Sequence, residues 1–247
     1  MTKPVLEPAA QAFADATANP PYLYGIPPHQ ARTAVGDVQR PEPAVPGVSR
    51  QRLREAGVTV FRAERTGGLL PVVLYLHGGW VFGDEHTHGR LARELALCAT
   101  AAVVFVHYSR APEARYPVAL EESGAALDWV RTRGKAYGLD ASRIAVAGDS
   151  EGGALAAALC LLDRRGLAGQ VLFCPVTDAS FDTGSYHDFA EGVRGQAPRG
   201  ARGHHRGALP GRHPRLRHAQ RPARHPRRRG GDRPGRALPH AGARPRR

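Results

Sequence analysis

Apolar residues fall along this chain in two rhythms. Runs rich in Val, Leu, Ile, Phe and Ala recur at 71–76, 101–106, 143–147 and 169–176, and read as buried strands. Between them lie stretches with helical spacing, at about 86–99 (Leu91, Leu95, Leu97) and about 118–133. Buried strands alternating with helices of this length predict an α/β class, a mostly parallel sheet with helices on both faces. Residues 58–64 alternate like a strand exposed on one face. Ahead of it, residues 5–18 (Val5, Leu6, Ala9, Phe13) and 28–40 (Ala31, Ala34, Val35, Val38) have helical spacing. The proline-rich stretch 19–28 separates them, and 41–50 reads as a proline-rich linker. No internal repeat is found.

The pattern ends at about residue 193. From Val193 to Arg247 there are 17 Arg, 9 Gly, 8 Pro, 8 Ala and 6 His, with only three Leu and one Val among larger aliphatic residues. So little apolar surface cannot offset the entropy of ordering the chain, and prolines recur too often for a helix or central strand. Disorder is expected there. Three domains follow: a helical segment at 1–45, an α/β core at 46–192, and an Arg/Pro/Gly-rich tail at 193–247.

Charge changes its meaning once it is divided this way. The formal net charge is +13, but the tail holds 17 Arg against the single acid Asp232, which leaves residues 1–192 mildly acidic. Ala, Gly, Pro and Arg are the four residues whose codons begin with two G or C bases, and they make up 42 of the tail's 55 positions. A GC-rich gene read in a shifted frame near codon 192 accounts for that mixture. The rival is a genuine basic arm holding nucleic acid or another polyanion through phosphate contacts, without sequence preference, since no aromatic residue is present for stacking. Cys98, Cys160 and Cys174 stand singly in apolar runs and are expected to be buried reduced thiols. No leader-like apolar region and no run of about 18 apolar residues occurs, so a soluble cytoplasmic protein without a membrane span is expected.

Two turns in the pattern carry chemistry. Strand 143–147 enters Gly148-Asp149-Ser150-Glu151-Gly152-Gly153 and runs on into Ala-rich, helix-forming sequence. A G-x-S-x-G turn between strand and helix is a nucleophile elbow. The chain reverses sharply, the serine is held in a strained backbone conformation, and Gly148 and Gly152 leave room where a Cβ would clash. Ser150 then stands at a helix N-terminus, whose unpaired N–H groups favour developing negative charge. Strand 71–76 ends in His77-Gly78-Gly79-Trp80, where glycines let backbone N–H groups approach a substrate oxygen.

With Tyr108-Ser109-Arg110-Ala111-Pro112-Glu113 between them, these motifs resemble the hormone-sensitive-lipase-like family of α/β-hydrolases, bacterial esterases with a GDSAGG elbow and an HGGG loop. The resemblance covers about residues 1–192. It implies an α/β-hydrolase fold and a carboxylic-ester hydrolase, esterase- or lipase-like, in which Ser150 forms an acyl-enzyme from a small short-chain ester. No metal or organic cofactor is implied. The backbone N–H groups of Gly78, Gly79 and Glu151 are the implied oxyanion hole. Asp149 matches the family, and its plainer role is to stabilise the loop. The N-terminal helices are implied to cap the site, with Tyr22, Leu23 and Tyr24 as candidates for the acyl pocket. Two departures stand out: the glycine loop is one residue short of HGGGW, and Glu151 replaces the usual alanine. A carboxylate there opposes a forming oxyanion unless it points to solvent.

The triad acid and base stay unassigned. In α/β-hydrolases they follow the serine on loops after later strands, and the tail stands in their place. Asp232 and His240 have the right order, but eight positions cannot hold the crossover between two parallel strands. His77 is expected to make a structural hydrogen bond. His86, His88, His107 and His187 show no acid at a recognisable spacing and are expected to be structural or exposed, and no group has metal-ligand spacing. The chain as written is therefore expected to have little activity. The alternative is a non-catalytic hydrolase-like body whose basic arm binds polyanions.

Overall fold

A computed structural model of the chain describes residues 5–19, 22–40, 44–178 and 184. Helices α1 (Pro8–Ala16) and α2 (Pro28–Val38) come first, each started by a proline in its first turn. The core follows as β1 (Val48–Leu53), β2 (Val58–Ala63), β3 (Leu70–Leu76), α3 (Glu85–Cys98), β4 (Ala102–Val106), α4 (Val118–Arg133), β5 (Leu139–Asp149), α5 (Ser150–Leu162) and β6 (Leu167–Phe173). The strands form one sheet in the order β1-β2-β4-β3-β5-β6. β1–β2 and β2–β4 are antiparallel, while β3 pairs in parallel with β4 and β5, and β5 with β6.

Alternation along the central strands sorts the core into two layers. Val72, Leu74 and Leu76 of β3, with Ile144 and Val146 of β5, pack beneath α4 and α5 against Ala126, Leu127, Val130, Ala156 and Leu159. Tyr75, Phe105 and Ala147 face the other way and meet Ala92 and Ala96 of α3. Helices therefore cover both faces, as the α/β pattern predicts. The register places Leu76 of β3 beside Gly148 of β5, so the loop after β3 and the elbow after β5 leave the same edge side by side.

Two expectations need correction. Residues 48–50 are strand rather than linker: β1 is an outer strand whose middle residues are all exposed, and its order comes from antiparallel pairing with β2. Cys98 and Cys174 are exposed and Cys160 is half-buried, because Cys98 ends α3 and Cys174 follows β6, which among the described residues pairs only with β5. All three are free thiols. Beside β6, Leu161, Leu162, Val171 and Phe173 lie exposed. The tail, with the disorder expected for it, and the positions His187, Asp232 and His240 fall outside the described residues.

Candidate functional site

Ser150 is the first residue of α5 and has φ +53°, left-handed backbone that a non-glycine residue adopts only under constraint. The constraint is close packing. A Cβ on Gly148 would lie 2.3 Å from the Gly152 carbonyl oxygen, and one on Gly152 would lie 2.2 Å from the Leu76 oxygen and 2.3 Å from the His77 oxygen. No side chain fits at either position. The elbow is thus wedged against the end of β3, with Ser150 half-buried at the mouth of the two loops.

Asp149 ties those loops together. Its Oδ1 accepts from the Tyr75 hydroxyl at 2.6 Å and from the Gly78 N–H at 2.9 Å, and its Oδ2 pairs with His88 Nε2 at 3.1 Å. Burial pushes the Asp149 carboxyl up, but the His88 and Tyr75 hydrogen bonds, with the His88 charge and the Gly78 N–H, outweigh it and hold the group below its ordinary range. Asp149 therefore stabilises more than its own loop, since it joins β3, α3 and the elbow. The Gly78 N–H is committed to it, contrary to the expectation that this group faces a substrate oxygen.

Three of the histidines are also spoken for. His77 is buried between the rings of Tyr108 (4.3 Å) and Phe105 (5.3 Å), and its Nδ1 lies 2.9 Å from the Gly78 carbonyl oxygen. Burial lowers its pKa to about 4, so it stays neutral at pH 7 and holds the structural role expected of it. His88 and His107 do have acid partners, which the sequence spacing does not reveal: Asp149, and Glu85 at 3.4 Å. His107 Nε2 also meets the Thr59 hydroxyl at 2.8 Å, and burial lowers its pKa to about 4. Among the described residues, no histidine ring hydrogen-bonds the Ser150 hydroxyl.

Glu151 points inward, not to solvent. Its Oε1 accepts from the Trp80 N–H and lies 3.4 Å from the Tyr108 hydroxyl, while Oε2 is buried with no hydrogen-bond partner. Burial raises its pKa to about 7, although the N–H groups of Glu151 itself, Trp80 and Gly79 pull the other way. Tyr108 and Trp80 are site residues that sequence reasoning left without a role. The loop that carries Trp80 is anchored from α2: Arg32 donates to the Val81 carbonyl at 2.6 Å and the Ala111 carbonyl at 3.0 Å, and pairs with Glu113 at 2.7 Å. Tyr22 donates to the Ala18 carbonyl at 3.0 Å and Leu23 is exposed; the Tyr24 side chain is outside the described residues.

A strained serine between strand and helix, wedged by glycines against a glycine loop at the edge of a parallel sheet, defines the hydrolase class. The chain belongs to the α/β hydrolase fold family, whose model matches residues 73–217, some way beyond the residue-192 limit of the motifs. It is 44% identical over 127 residues to carboxylesterase NlhH of Mycobacterium tuberculosis, covering 49% of this chain and 40% of that protein. It is 34% identical over 207 residues to an esterase of Gibberella moniliformis, covering 76% of this chain and 63% of that one. Among solved structures, a thermostable esterase from Pseudomonas putida superposes with a TM-score of 0.71 at 37% identity, over 78% of this chain and 65% of that one. The chain thus spans from two fifths to about three fifths of the length of these two curated relatives. Among the described residues, no helix is long and apolar enough to cross a membrane.

Proposed function

We propose that this chain carries the nucleophile and oxyanion half of a carboxylic-ester hydrolase. Ser150 attacks the acyl carbon of a small, short-chain ester. The N–H groups of Gly79, Trp80 and Glu151 face the developing oxyanion, and water hydrolyses the acyl-enzyme. The observation that carries this reading is the left-handed Ser150, held by glycine-only contacts against the His77 loop. Similarity to named esterases supports the substrate class. Helices α1 and α2 act as the cap, a role supported by the Arg32 anchor on the Val81 carbonyl. Three free thiols support a cytoplasmic setting.

Turnover is low, because among the described residues no histidine ring reaches the Ser150 hydroxyl to act as its base. In a serine triad the loss of the base costs on the order of 10⁶ in turnover, and roughly 10³ to 10⁴ over water remains from the oxyanion hole and binding. The test is hydrolysis of p-nitrophenyl acetate by the full chain and by Ser150→Ala. Slow turnover that disappears in the variant is expected. Slow turnover that Ser150→Ala leaves unchanged overturns the reading, and turnover at ordinary enzyme rates shows that a further group acts as the base. The polyanion-binding alternative rests on tail composition alone; salt-sensitive DNA retention that is lost on cutting at residue 192 would favour it.

A further inference from the structure

Glu151 puts a carboxylate where the proposed reaction needs an open pocket. With the Gly78 N–H taken by Asp149 at 2.9 Å, the donors of the proposed oxyanion pocket are the N–H groups of Gly79, Trp80 and Glu151. Trp80 already donates to Glu151 Oε1, and the Tyr108 hydroxyl lies 3.4 Å from the same oxygen. The second oxygen, Oε2, is buried with no partner at all. A carboxyl group so placed has the planar oxygens and, when ionised, the charge of the species those donors are built to hold. Its orphaned oxygen also makes the arrangement easy to undo, since withdrawal toward solvent restores the lost hydration.

We propose that Glu151 is a built-in occupant of the oxyanion pocket, so that the site takes an acyl carbonyl only when this side chain swings away from Trp80. The proposal rests on the reading of Ser150 as the nucleophile. Two measurements on the full-length chain separate the two claims: turnover of p-nitrophenyl acetate, and the NMR shifts of the Gly79 and Trp80 amides. In Glu151→Ala, Ser150-dependent turnover rises about 10²-fold, in keeping with the effect of a single oxyanion donor. Its Trp80 amide proton moves upfield as the acceptor leaves. Added acetate shifts the Gly79 and Trp80 amides in Glu151→Ala and leaves them in place in the parent chain.

Equal turnover in parent and Glu151→Ala, abolished in both by Ser150→Ala, overturns the proposal. If neither protein shows Ser150-dependent turnover, the esterase reading falls and acetate alone decides. A shift confined to Glu151→Ala sustains the occupied pocket, and an equal response in both proteins overturns it. Glu151→Ser, too short to reach the Trp80 N–H, repeats the comparison should the alanine variant fail to fold.

Discussion

Two carboxylates flank Ser150, and the walls they belong to are built on opposite principles. On the Asp149 side, Tyr75, Gly78 and His88 all give hydrogen bonds to one acid, which stays charged despite its burial. On the Glu151 side, one oxygen meets Trp80 and Tyr108 and the other meets nothing, and burial raises the acid's pKa to about 7. Burial costs both groups; the His88 and Tyr75 hydrogen bonds outweigh it at Asp149, while the backbone N–H groups around Glu151 do not. The first wall is scaffold. The second leaves one buried oxygen without a partner.

The contrast can be broken most severely at the glycine that both walls share. Gly152→Ala sets a Cβ about 2 Å from the backbone oxygens of Leu76 and His77, neither of which can yield without parting α5 from β3. Destabilisation above about 5 kcal/mol is expected, seen as loss of soluble, cooperatively unfolding protein. A urea midpoint close to that of the parent would contradict the wedge.

Removing the saturated acid comes next. Asp149→Ala strands the Tyr75 hydroxyl and the Gly78 N–H and leaves His88 without its partner, for a cost of about 4 kcal/mol in urea unfolding. Because the Asp149 pKa is depressed, its contribution is present above the unfolded value and is lost as pH falls through the folded one. In the Asp149→Ala variant that acid-side loss is absent.

Glu151 behaves with the opposite sign. Its pKa rises from 4.5 to about 7 on folding, so the stability linked to its protonation is complete below about 4.5 and fades as pH climbs through 7. Glu151→Gln, which cannot ionise, gains on the parent by up to roughly 3 kcal/mol between pH 4.5 and 8. A difference between the two proteins that does not vary over that range contradicts the buried carboxylate.

What could be read in the sequence, and what could not, divides along similar lines. The central strands, the helices between them and the elbow were legible because continuous apolar runs and G-x-S-x-G spacing are local signals. β1 was not, since only Val48 and Leu53 at its ends turn inward and pairing with β2 supplies the rest. The His88–Asp149 pair spans 61 positions and exists only once α3 packs against the ends of β3 and β5. The direction of the Glu151 side chain was open as well, because a helix N-terminus offers it both solvent and the neighbouring loop. Cys98 and Cys174 misled because they sit in apolar runs but at element ends, where the packed layer stops.

The most direct test of the account is to expose the full chain to p-nitrophenyl acetate and map the acetyl group by peptide mass spectrometry. Acetyl is expected on the peptide containing Ser150, accumulating because among the described residues no histidine ring reaches the Ser150 hydroxyl to assist deacylation, and absent from Ser150→Ala. Acetylation confined to exposed groups such as Lys135 or Cys98, with the Ser150 peptide unmodified, would contradict it.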